Sequence, residues 1–101
     1  MIEIAIFLGE GCAGQNNQFG YRVGEKHALV GFLRQHKGSP PDFETAQKEM
    51  ENRGWKEVNF YRASTVVNVE SLNTMHPSAS ASYEDAANKG FAVIVYSDPI
   101  E

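Results

Sequence analysis

Two apolar runs near the ends of the chain constrain its fold more than any other feature. Residues 2–8 read IEIAIFL and residues 91–97 read FAVIVYS, and both are rich in β-branched or aromatic side chains. Each run is short and bordered by glycine, which favours a buried strand over a helix. Because residues 91–97 carry no charge, we expect them to lie in the centre of a sheet, beside residues 2–8.

Two further segments have the signature of helices. Residues 39–54 start with a capping serine, Ser39, followed by proline, then carry an apolar stripe at helical spacing and end in glycine. Residues 82–89 repeat the pattern with Ser82 as the cap, an acidic residue three positions later and a final glycine. These signals predict one helix in each segment.

The segment after the first helix alternates as a strand does. In residues 55–62, Trp55 and Tyr61 point to one side, and apolar side chains between them point toward a core. Residues 65–69 predict another strand, with a possible turn at 63–64. Two readings remain open here, a hairpin and one long bent strand.

Residues 21–38 are compatible with two structures. One is a hairpin that turns at Gly24, with YRV and HALVGFLRQ as its strands. The other is a helix over residues 25–37, with its apolar side chains on one face and Gly38 just past its end. We favour the helix.

In order, these elements give β, α, β, β, α, β, with an insert after the first strand. This is the split β-α-β arrangement of a ferredoxin-like domain, a two-layer α+β sandwich, here with residues 9–38 inserted after the first strand. The 101 residues form one domain. Both helices are expected on one face, and the other face would expose Trp55 and Tyr61.

Composition narrows the class of function. The net charge of −4 disfavours nucleic-acid binding, and no apolar run is long enough to span a bilayer. The N-terminus does not resemble a signal peptide, and the single cysteine excludes an internal disulfide. A cytoplasmic location is the simplest interpretation, and no cofactor is predicted.

A glycine-rich segment follows the first apolar run. Gly9, Gly11 and Gly14 match the dinucleotide fingerprint G-x-G-x-x-G, but the residues after them make a poor start for the helix that this fingerprint needs. We expect a loop here. A simpler anion nest of loop amides stays open as a hypothesis, with Arg22 or Arg34 as the cationic partner.

Cys12 lies between these glycines and is a candidate nucleophile only if a neighbour lowers its pKa. A lone cysteine near a strand end is more often a small packing residue. His27, His36 and His76 are not spaced as metal ligands, so we predict surface or helix-end histidines and no metal site.

The resulting functional hypothesis is a protein-interaction or regulatory accessory module, dimeric, with Trp55 and Tyr61 at the interface. One alternative is a small dimeric ferredoxin-like enzyme or small-ligand-binding protein, whose pocket lies between the open sheet face and residues 9–38. The other alternative is a phosphate binder that uses residues 9–14. The ligand-binding candidates are Gly9, Gly11, Cys12, Gly14, Arg22 and Arg34.

Overall fold

The described part of the chain folds into a four-stranded antiparallel sheet with two helices. The computed structural model describes residues 1–15, 17, 20–65 and 76–100. The sheet order is β3-β1-β2-β4, so β1 and β2 are central and β3 and β4 are the edges. The elements are β1 (Ile2–Ala13), β2 (Lys26–His36), α1 (Phe43–Asn52), β3 (Trp55–Thr65), α2 (Ala79–Lys89) and β4 (Phe91–Pro99).

One helix packs on each face of the sheet. Side chains alternate along β1, so that Ala5 and Phe7 face α1, whereas Ile4 and Ile6 face α2. We call the two apolar clusters the α1-side core and the α2-side core. The helices contribute Ala46 and Met50 to the first, and Ala79 and Ala86 to the second. The described part of the molecule therefore has three layers: helix, sheet and helix.

This arrangement confirms an α+β fold but differs from the ferredoxin-like expectation. The strand order is different, and the helices lie on opposite faces instead of sharing one. The expected open sheet face is therefore wrong. The expected insert is also wrong, because residues 9–13 complete β1 and residues 26–36 form a central strand.

The predicted helix over residues 25–37 is wrong, because most of this segment is β2. Leu29 and Leu33 enter the α1-side core, while Val30 and Phe32 enter the α2-side core. A strand buried on both faces has no polar side to reveal its period of two. The apolar residues of this segment, apart from Val30, therefore also match the spacing of an apolar stripe on one face of a helix.

The run at residues 91–97 is a strand, as predicted, but its central position is wrong. β1 and β2 form a hairpin and pair along nearly their whole length, from Ile2 opposite His36 to Cys12 opposite Lys26. This long hairpin occupies the centre of the sheet and leaves β4 on its outer edge, where β2 is its one neighbour in the part of the chain that the structure describes.

β3 is one strand across residues 55–65, so of the two open alternatives the hairpin with a turn at 63–64 is wrong. Two β-bulges interrupt its pairing with β1. Glu57 and Val58 together oppose Gly11, and Tyr61 is an extra residue between Phe60 and Arg62. Residues 66–69 of the predicted second strand lie outside the described residues.

Both helices form where they were predicted, with shifted starts. Asp42, not Ser39, caps α1, because its side chain accepts hydrogen bonds from the Thr45 amide at 3.1 Å and hydroxyl at 2.7 Å. α2 begins three residues early, so Ser82 lies inside the helix and is buried. The described helices contain no segment long and apolar enough to cross a membrane.

Candidate functional site

The predicted glycine loop is wrong, because Gly9 and Gly11 belong to a strand paired on both sides. A β-carbon on Gly9 would collide with the carbonyl oxygen of Asn59, where β3 bulges toward β1. A β-carbon on Gly14 would collide with the carbonyl oxygen of Gly54, which also accepts the Gly14 amide at 2.7 Å. Close backbone approach therefore explains Gly9 and Gly14.

Cys12 lies near the end of β1 and is half-buried. Burial raises the pKa of the Cys12 thiol, and a hydrogen bond to Glu57 and the charge of that carboxylate raise this pKa further. Lys26 acts in the opposite direction and is outweighed. A nucleophilic cysteine needs the reverse, a lowered pKa, so this environment favours the packing interpretation of Cys12.

The two candidate arginines lie at opposite ends of β2. Arg22 is exposed in the turn between β1 and β2, where its carbonyl oxygen accepts the Glu25 amide at 3.1 Å. Arg34 is exposed near the far end of β2, and its Nη1 donates to the Ala87 carbonyl oxygen at 2.8 Å. The structure does not bring Arg34 to the glycine segment; Arg22 and Gly14 share the hairpin end.

Trp55 and Tyr61 do not share a surface. Trp55 is 1% exposed in the α1-side core, so its interpretation as a surface side chain is wrong. Tyr61 is 67% exposed. The two bulges of β3 change the alternation between these residues, which a sequence pattern with a strict period of two does not anticipate.

His27 is fully buried, which corrects its interpretation as a surface histidine. Its Nδ1 lies 2.7 Å from the Tyr96 carbonyl oxygen, which only accepts, so Nδ1 carries a proton. Its Nε2 lies 2.8 Å from Glu25 Oε1, within hydrogen-bond distance. The Tyr21 ring packs against the imidazole at a tilt of 40°, with 4.3 Å between ring centroids.

The His27–Tyr96 contact lies where the β2–β4 ladder is irregular. Leu29 pairs with Val95 and His27 with Pro99, so three β4 residues oppose Ala28. The imidazole thus joins the second half of β4 to β2 by a side-chain hydrogen bond. Sequence reasoning missed this pair. The available signal was the spacing of Glu25 and His27, which puts both on one face if the segment is extended.

Among the described residues, one cleft lies at each end of the sheet, and polar and apolar surface contribute about equally to the lining of both. A cleft of about 460 Å³ is lined by Gly14, Gln15, Glu51, Gly54, Trp55, Lys56 and Glu57. A second, of about 530 Å³, is lined by Arg34, Gln35, His36, Ser39, Pro40, Pro41 and Asp42. No cluster of three or more His, Cys, Asp or Glu side chains suited to a metal ion occurs among the described residues.

The outer edge of β4 is the most distinctive surface. Arg34 donates its amide to the Gly90 carbonyl oxygen at 2.9 Å, and the register continues from Leu33 opposite Phe91 to Leu29 opposite Val95. In an antiparallel ladder, residue pairs that hydrogen-bond each other alternate with pairs whose backbone groups point away from the neighbouring strand. The amides and carbonyls of Phe91, Val93 and Val95 therefore point away from β2, toward the outside of the sheet.

The comparisons with known proteins add no relative: no protein-family model, curated protein or solved structure matches this chain. The candidate site is therefore defined by the geometry of the described residues.

Proposed function

We propose that this chain is a protein-interaction module that binds an extended protein segment along the outer edge of β4. The observation that carries the proposal is the row of outward-facing backbone groups at Phe91, Val93 and Val95, on a strand that pairs with β2 alone among the described strands. Such groups are a template for a further strand, and backbone hydrogen bonds supply the affinity in this mode of recognition.

The side chains of β4 support the same proposal. Residues 91–97 carry no charge, no proline and no glycine. Val93 and Val95 are half-buried on the α1 side, and Tyr96 is 37% exposed, so apolar surface borders the free backbone groups. Proteins usually protect an exposed edge with charges, proline or bulges. The regular part of β4 lacks these devices, as expected of an edge that receives a partner.

A photocrosslinking experiment tests the proposal. A photoreactive amino acid replaces Ser97, which is exposed on β4, and in a matched control it replaces Asn59, which is exposed on β3. We expect crosslinking to a protein in cells from position 97 and little from position 59. Equal yields from both positions, or none from position 97, would contradict strand binding at β4.

A second substitution separates strand pairing from simple proximity. Val93→Pro removes an outward-facing amide and leaves the amides that pair with β2 in place. We expect this variant to remain folded by circular dichroism and to lose the crosslink at position 97. A folded Val93→Pro variant that crosslinks as strongly as the parent would show that backbone pairing is not involved.

A further inference from the structure

We infer that the segment received by β4 is β4 of a second copy of this chain, antiparallel to the first and related by a two-fold axis near Val93 and Ile94. This inference rests on the proposed function and adds the identity and direction of the partner. It follows from two properties of the edge: its regular part is uncharged, and its two ends carry opposite charges.

The N-terminal end of β4 is basic. The guanidinium of Arg34 lies beside Gly90, with Nη2 3.9 Å from the position that a β-carbon would take there. The next residue back, Lys89, is exposed. On the other face, the guanidinium of Arg53 lies over the Phe91 ring, 4.8 Å from its centroid, and pairs with Glu49 at 3.6 Å. Two exposed cations, Arg34 and Lys89, thus flank the start of the strand.

The last end of β4 is acidic, because Asp98 is exposed there. Two antiparallel copies bring the basic end of each strand beside the acidic end of the other, and the contact occurs twice. With Ile94 opposite itself, position 98 of one copy lies opposite Gly90 of the other, beside Arg34. A parallel arrangement would instead place like charges together. Charge complementarity therefore favours the antiparallel pair.

The directions of the backbone amides and carbonyls of β4 are compatible with this two-fold axis. The outward-facing residues Phe91, Val93 and Val95 are all odd-numbered, and a two-fold axis perpendicular to the sheet pairs odd positions with odd positions. Both partners then present their free amides and carbonyls to each other. Pairing of β4 with the β3 edge of another copy would extend without closing, whereas β4 with β4 closes after two chains.

The test uses two charge reversals on the full chain, Asp98→Lys and Arg34→Glu, followed by sedimentation equilibrium from micromolar to millimolar concentration. We expect the wild-type chain to form dimers. Each variant alone juxtaposes like charges twice, so we expect its dissociation constant to rise by about tenfold. A mixture of the two variants restores both attractive contacts, and we expect its affinity to return close to that of the wild type.

The outcomes separate this inference from the proposed function. Variants that dimerise like the wild type, or a mixture no tighter than either variant alone, would show that the arrangement is wrong. If the purified chain stays monomeric at millimolar concentration but position 97 still crosslinks to another protein, self-pairing is wrong and strand binding stands. Thermal unfolding of each variant, monitored by circular dichroism, confirms that the compared chains are folded.

Discussion

The two edges of the sheet are built in opposite ways. β3 has two bulges, at Glu57–Val58 and at Tyr61, and it carries three charged side chains along its length. β4 is regular and uncharged from Phe91 to Val95, and its irregularity comes only beyond this segment. Bulges and charges discourage pairing with another strand. The two edges therefore differ in how far they discourage pairing with another strand.

The means of attachment differ as well. β3 is fitted to β1 through glycines that admit its bulging backbone, whereas the second half of β4 is joined to β2 through a buried imidazole. One edge of the sheet therefore depends on glycines, which leave room for the neighbouring backbone, and the other edge depends on a buried polar side chain. A substitution at either attachment should therefore destabilise mainly the edge strand that this attachment holds.

The largest loss of unfolding free energy is expected from His27→Ala. This change removes the hydrogen bond to Tyr96 and leaves the Glu25 carboxylate without its partner, beside a cavity in the core. Removing a fully buried ring in this way costs about 3–5 kcal/mol of unfolding free energy. Chemical denaturation measures the loss, and hydrogen exchange should place the increased opening in the second half of β4.

Glu25→Gln is the matched control for this prediction. The glutamine amide can still hydrogen-bond Nε2, and Nδ1 keeps its proton for Tyr96, so we expect a loss of only about 1 kcal/mol. If both variants lose the same stability, the imidazole is not the attachment of β4.

The next largest effect is expected at the β3 edge, from Gly9→Ala. The added methyl group meets the Asn59 carbonyl, which is backbone and cannot move aside as a side chain can. Overpacking against backbone should cost about 3 kcal/mol of unfolding free energy. Chemical denaturation measures this cost.

Gly11→Ala is the control for the same edge. Its nearest neighbours would be Leu29 Cδ1 at 3.0 Å and Val58 Cγ2 at 3.2 Å, which are the ends of side chains. We expect a smaller loss than for Gly9→Ala. The opposite order would mean that backbone contact with the bulge does not set the requirement for glycine.

The sequence alone predicts the helices and strands whose signals come from neighbouring residues in the chain. The apolar runs at residues 2–8 and 91–97 are strands, and the segments 39–54 and 82–89 contain helices, although the caps are Asp42 and Ser78 and not the predicted serines. It was insufficient for the strand order. A strand buried on both faces and a helical stripe share the same apolar residues, so β2 was misassigned, and the error moved β4 into the centre of the sheet.

The candidate site depended on this order and was predictable only in part. Gly9 and Gly11 interrupt an apolar run as loop glycines do, and only the position of β3 shows that they belong to a strand. The features that support an interface, the free amides of β4 and the charges at its ends, arise from pairing and have no signature in local composition. Arg34 was named as an anion ligand, and its proposed partner is instead the Asp98 carboxylate of a second copy.

A smaller effect distinguishes the two helices, which cover different halves of the sheet. α1 has a side-chain cap, Asp42, whereas the cap residue of α2, Ser78, makes no capping hydrogen bond through its side chain in the described structure. Asp42→Ala should cost about 1 kcal/mol of unfolding free energy, and Ser78→Ala close to nothing. Equal losses would contradict this difference.

The contribution of Asp42 should depend on pH. Hydrogen bonds from Thr45 lower the pKa of the Asp42 carboxyl in the folded chain. The stabilisation is therefore complete above the unfolded pKa, about 3.9, and is lost as the pH falls through the lower folded value. The difference in unfolding free energy between wild type and Asp42→Ala should shrink in acid, whereas a constant difference would contradict the assignment.

The smallest effect concerns the first bulge of β3, where Glu57 has a φ of 51° and its carboxylate adds to the effect of burial in raising the pKa of the Cys12 thiol. Glu57→Gln removes the charge that opposes thiolate formation, so we expect a lower pKa of Cys12 and alkylation several-fold faster at neutral pH. Lys26→Gln removes the charge that favours the thiolate and should slow alkylation. Iodoacetamide kinetics across pH measure both rates. Changes of the same sign in the two variants would contradict the placement of the bulge beside Cys12, because only that placement gives the carboxylate and the ammonium opposite effects on the same thiol.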